Sequence, residues 1–164
     1  MKLKQLVILL IIAIAALVIG YGLLSNKVGE QEFEQSALLA EVNWQELNSI
    51  EIEQANKAVK IEKLLEQWQV VSKGGYQADT SKLSSLIQSL KDAEIVELKT
   101  KQEKNYHRLG LHLSSELESE NSDLATLLTL QAGDKKYQLV IGNTASKSNG
   151  SYVRLLSEPQ SYLI

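Results

Sequence analysis

The chain of 164 residues has no cysteine, one proline, one phenylalanine and only two arginines. Without cysteine there is no disulfide framework, so a folded unit must hold itself together through its core. The usual residue for lipid modification of an amino terminus is missing for the same reason. With Arg108 and Arg154 as the only guanidinium groups, bidentate phosphate clamps are scarce. A formal net charge of −3 leaves no electrostatic footprint for nucleic acid. No G-x-S-x-G, H-E-x-x-H, G-x-x-x-x-G-K-[ST] or G-x-G-x-x-G pattern occurs. His107 and His112 lie five apart across Gly110, which fits neither helical nor strand ligand spacing. They have no identifiable orienting carboxylate. These absences predict a protein that is not an enzyme and holds no metal and no cofactor.

One long apolar run is present. Leu6 to Leu24 carries no charge. About 20 apolar residues span a bilayer core as a helix, so the run predicts a transmembrane segment. Lys2 and Lys4 precede it, and Lys27, then Glu30, Glu32 and Glu34 follow. That asymmetry predicts an amino terminus inside and a carboxyl-terminal domain outside the inner membrane, periplasmic or extracellular. A cleaved signal peptide is the alternative, with Gly20 and Gly22 offering a weak site. The expected organisation is a cytoplasmic tip 1–5, the transmembrane helix 6–24, a stalk 25–48 and an α+β domain 49–164. In the stalk, Phe33, Ala37, Leu38 and Val42 recur at roughly helical spacing, as in a short connector helix tucked onto the domain.

From Ser49 the apolar period becomes two. Ile50 and Ile52 alternate with glutamates, and Val59 and Ile61 with Lys60 and Glu62. This predicts a hairpin with one buried and one wet face. Gln67 to Val71 reads as a third strand with Trp68 in the core. Asp79 is placed to cap a helix from about Thr80 to Lys91, whose Leu83, Leu86, Ile87 and Leu90 form one stripe. A strand near 94–100 and a helical turn at 103–109 ending in Gly110 follow. The polar segment Ser114 to Asp123 lacks the calcium-loop pattern and reads as a solvated loop. Two hairpins close the chain, 124–132 with 135–141 around Gly133-Asp134, and 151–156 with 161–164 around Pro159. The predicted fold class is therefore α+β: a transmembrane helix, then antiparallel hairpins packed with one main amphipathic helix.

The order of these pieces resembles the bacterial family called domain of unknown function 4340. The matching stretches are Leu47-Asn48-Ser49-Ile50-Glu51-Ile52, Val59-Lys60-Ile61-Glu62-Lys63 and Trp68-Gln69-Val70. They continue through Tyr76-Gln77-Ala78-Asp79 with its helix, Ala93 to Glu97, Tyr106 to Leu111, Tyr137 to Gly142, and Gly150-Ser151-Tyr152-Val153-Arg154 to Ile164. Family members often carry proline where this chain has Gln77, and they usually continue past the position of Ile164. The resemblance implies an envelope protein often encoded beside ABC-transport components of the gliding-motility auxiliary type. It implies no activity and no catalytic residues.

The resulting expectation is a single-pass, membrane-anchored envelope protein with a non-catalytic protein-interaction domain, an accessory of an ABC-transport assembly. The alternative is a module for envelope glycan or a small ligand, for which Trp44, Tyr76, Tyr106 and Tyr152 are the aromatic candidates. The final hairpin is expected at or near a sheet edge. Tyr152, Tyr162, Leu163 and Ile164 would then form the contact site.

Overall fold

In the computed structural model of the protein the described residues are 36–55, 57–113, 124–146 and 149–164. The chain divides into two units, Met1–Glu34 and Gln35–Ile164, and the described residues all belong to the second.

Strict alternation builds the first hairpin. β1 (Leu47–Gln54) pairs with β2 (Lys57–Leu64), Ile50 opposite Ile61 and Ile52 opposite Val59. A period of two puts these four on one face and Glu51, Lys60 and Glu62 on the other. β3 (Gln67–Val70) and the two-residue β4 (Tyr76–Gln77) extend the sheet beyond β2. Asp79 then starts α1 (Thr80–Lys91), accepting from the amides of Ser81 and Lys82 at 3.1 Å. Leu83 and Leu90 of its stripe are buried, and Leu86 and Ile87 half-buried. β5 (Glu97–Leu98) follows, then a 3₁₀ helix (Glu103–Leu109) that Gly110 closes with φ 67°. β6 (Thr126–Ala132), β7 (Lys135–Thr144), β8 (Ser151–Leu155) and β9 (Ser161–Leu163) form a meander.

All these strands join in one antiparallel sheet, ordered β4-β3-β2-β1-β6-β7-β8-β9-β5. β4 and β5 sit at opposite edges, so the chain between them, α1 included, crosses the sheet. One face carries the ladders Val70–Ile61–Ile50–Leu130–Tyr137 and Val59–Ile52–Leu128–Leu139–Leu155. Ile50, Leu128, Leu130, Leu139 and Val153 on this face are almost wholly excluded from solvent. Burial of each contributes about 1.5–3 kcal/mol. Tyr137 donates its hydroxyl to the carbonyl of Glu41 at 2.8 Å, which brings segment 36–42 over the same face. The opposite face is divided. Around β1 and β2 it is polar. Around β7 and β8 it is roofed by Tyr106, Leu111 and Ala125, packed with Val140, Leu127 and Tyr152.

Several expectations are corrected. The fold is β-rich rather than α+β, because the described residues form one nine-stranded sheet with a single α-helix of 12 residues. No helix among them is long and apolar enough to cross a membrane. The apolar run at 6–24, on which the expected single-pass inner-membrane placement rests, lies outside the described residues. The expected stalk helix is replaced, within 36–42, by a bridge of Ala37 to Glu94 and a turn that buries Leu38, Leu39 and Val42. The amides of Leu38 and Ile95 reach across to the carbonyls of Ala93 and Ser36, and this strand-like pairing competes with helix. Trp68 is half-buried rather than central, because β3 lies second from the sheet edge.

The 3₁₀ helix lies close against β7 at Gly142. A Cβ there would strike the carbonyl oxygens of Leu109 and Gly110, the latter at 2.9 Å. Gly142→Ala should therefore destabilise the protein by about 1–3 kcal/mol, the usual cost of overpacking. The measurement is the urea midpoint, and an unchanged midpoint would mean that the 3₁₀ segment retreats freely.

Candidate functional site

Asp79 and His107, two of the side chains weighed for chemistry, each bond to the backbone. Asp79 spends its carboxylate on the first turn of α1. The Nδ1 of exposed His107 lies 2.7 Å from the Lys104 carbonyl, so this nitrogen carries the proton and donates it. His107 stacks on half-buried His112 with centroids 6.4 Å apart. Among the described residues no three His, Cys, Asp or Glu side chains gather as metal ligands.

The four aromatic candidates are scattered. Trp44 is half-buried below Lys91, whose ammonium stands 5.8 Å from the ring centroid. Tyr76 is 75% exposed on edge strand β4. Tyr106 is buried, donates to the Pro159 carbonyl at 2.6 Å and carries the Arg154 guanidinium 4.8 Å above its ring. Tyr152 on β8 is half-buried beside the same cluster, with Lys99 at 5.7 Å. In the strand order β4 and β8 are six spacings apart, roughly 29 Å along the sheet at about 4.8 Å per strand. No shared aromatic cleft is built.

The terminal residues are also placed differently from expectation. β9 runs between β8 and β5, so it is an inner strand. Tyr162 and Leu163 are buried and Ile164 is half-buried, its amide and carbonyl both bonded to Ser151. The Tyr162 hydroxyl donates to Glu158 at 2.7 Å. Burial first, and then Glu158, pushes this phenol well above its ordinary pKa. The final hairpin, expected at or near a sheet edge, lies one strand in from it: Glu97 and Leu98 cover it, and lysine and threonine beyond them bond to Ser161.

Depressions lie on the surface of the described residues. One, about 700 Å³, lies between residues 36–42 and Lys136, Tyr137, Gln138 and 155–158. Another, about 510 Å³, is the wet face of β1, β2 and β6, lined by Ser49, Glu51, Lys60, Glu62, Thr129 and Gln131. Lys60 and Glu62 pair there at 2.6 Å, and Glu62 raises the lysine above its ordinary pKa. A further one, about 320 Å³, lies beside β5 and the 3₁₀ helix.

What sequence reasoning missed is the tip of the β2–β3 hairpin. Leu64 is 42% and Leu65 98% exposed. Leu65 and Glu66 hold φ of 47° and 66°, the signature of a type I′ turn. Such turns are normally Asn-Gly, since a side chain in left-handed backbone costs about 1–2 kcal/mol per residue. The readable signal was the connection itself: two residues, Leu65-Glu66, with no turn former between two strands. Glu66 is held by Lys63 at 2.6 Å, so the charges at the tip cancel locally and the leucines stand out.

The family profile described as Domain of unknown function (DUF4340) matches residues 68–164. No curated protein and no solved structure matches the chain.

The strain assigned to the tip is measurable. The double substitution Leu65→Asn with Glu66→Gly should raise stability by about 1–2 kcal/mol in urea titration, since both residues then suit the turn. A loss of stability would show that the leucine or the Lys63–Glu66 pair supports the monomer.

Proposed function

We propose, for a chain that belongs to the family described as Domain of unknown function (DUF4340), that the unit 35–164 is a non-catalytic protein-interaction domain. The observation that carries the reading is the β2–β3 tip. A wholly exposed leucine on a strained turn costs stability and returns no contact within the described residues. Strain of this kind concentrates at functional positions, and a few apolar anchors commonly dominate a protein interface. The neutralised Lys63–Glu66 pair at its base favours an apolar pocket of a partner over a charged surface. The resemblance noted from the sequence points to components of an ABC-transport assembly as the partner class.

A photo-crosslinking amino acid replacing Leu65 tests this, with Lys57 at the far end of β2 as control position. The expected result is a discrete adduct with one protein from position 65 and none from position 57, identified by mass spectrometry. Leu65→Lys should leave stability within about 0.5 kcal/mol, as exposed substitutions do, while abolishing binding of the identified protein. Equal labelling from both positions, or binding that survives Leu65→Lys, would refute the assignment. An adduct with a protein unrelated to transport would refute only the partner class.

A further inference from the structure

The depression beside β5 is lined by Glu97, Leu98, Lys99, Thr100, Asn105, Arg108 and Leu109. Its charge is unlike that of the chain as a whole. Residues 97–108 hold four basic side chains, Lys99, Lys101, Lys104 and Arg108, against Glu97 and Glu103, in a chain of net charge −3. Glu97 is already taken by Lys99 at 2.6 Å. Arg108 is exposed and makes no ion pair among the described residues. Asn105 stands in the same wall, held by weak bonds of 3.4 Å to Thr100 and Gln102. Of its apolar lining, Leu98 is 38% exposed and Leu109 half-buried; Val96, one residue before β5, is 54% exposed. A planar guanidinium takes a carboxylate through two parallel hydrogen bonds. Beside it the rim offers an apolar strip. The volume of about 320 Å³ suits one or two side chains rather than a nucleotide.

We infer that this depression binds an acidic peptide segment of a partner protein, with a carboxylate on Arg108 and an adjacent apolar side chain against Leu98. The site lies apart from the β2–β3 tip and uses none of its residues. β5 occupies one edge of the sheet, and β3, which the tip precedes, lies next to the other.

The test is fluorescence anisotropy of the full chain with a fluorescein-labelled peptide of alternating leucine and glutamate. Arg108→Gln should weaken binding at least about fivefold, given the strength of a charge-assisted bidentate contact. Arg108→Lys should weaken it less, because charge remains while the fork is lost. Leu98→Lys should also weaken it, and a peptide with glutamine for glutamate should bind as poorly as the Arg108→Gln pair. Leu65→Lys should leave the peptide affinity unchanged, which separates this site from the tip. Equal binding by Arg108→Gln, or of the glutamine peptide, would overturn the inference. So would Arg108-dependent binding to phosphatidylglycerol vesicles with no binding of the peptide, or competition by millimolar inorganic phosphate alone, which would mark an anion site of another kind.

Discussion

The pairing of β1 with β6 is the interaction on which the rest of the molecule depends. It joins residues some 80 positions apart, Ile50 to Leu130 and Ile52 to Leu128. Without it the chain would be two separate sheets, β4 to β1 and β6 to β5. It also sets the register. A slip of β1 by one residue against β6 would turn Ile50 and Ile52 to the wet face and bring Glu51 and Glu53 inside. The burial of those apolar side chains holds the long loop closed against its entropy. In a chain without cysteine, no covalent link shares that task.

The same register explains why the two faces differ. The apolar ladders cross the sheet through β1 and β6 without interruption. On the reverse side, Lys60–Glu51–Thr129–Gln138 and Glu62–Ser49–Gln131–Lys136 cross as polar ladders. Only where β7 and β8 carry Leu127's partner Val140 and then Arg154 does a second core form, closed by the 3₁₀ helix. Arg154 is buried there because its stem and guanidinium lie over the Tyr106 ring and its Nε donates to the Leu111 carbonyl.

Local signals were legible in the sequence. Alternation at Ile50–Ile52 and Val59–Ile61 gave the observed register, Asp79 caps the helix as its position implied, and Gly133 takes the turn with φ 57°. Long-range placement was not legible. The segment 94–100 reads as a strand, but nothing in it says that Glu97 and Leu98 will cover β9, so the terminal hairpin was placed at or near an edge. The helix of α1 is strongly marked, and that clarity weighted the class toward α+β although the nine strands needed no second α-helix among the described residues. Of the candidate surfaces, the tip escaped notice because Leu65-Glu66 contains none of the residues that announce a turn. Arg108 drew attention only for the rarity of arginine; its exposed position beside Leu98 depends on how the 3₁₀ helix meets β5.

Both outer strands of the sheet, β4 and β5, are two residues long. Backbone edges that short give an incoming strand almost nothing to zip onto. Side chains on turns and rims, by contrast, are constrained by no ladder hydrogen bond. One leucine at such a place can be exchanged while the sheet that carries it stays the same.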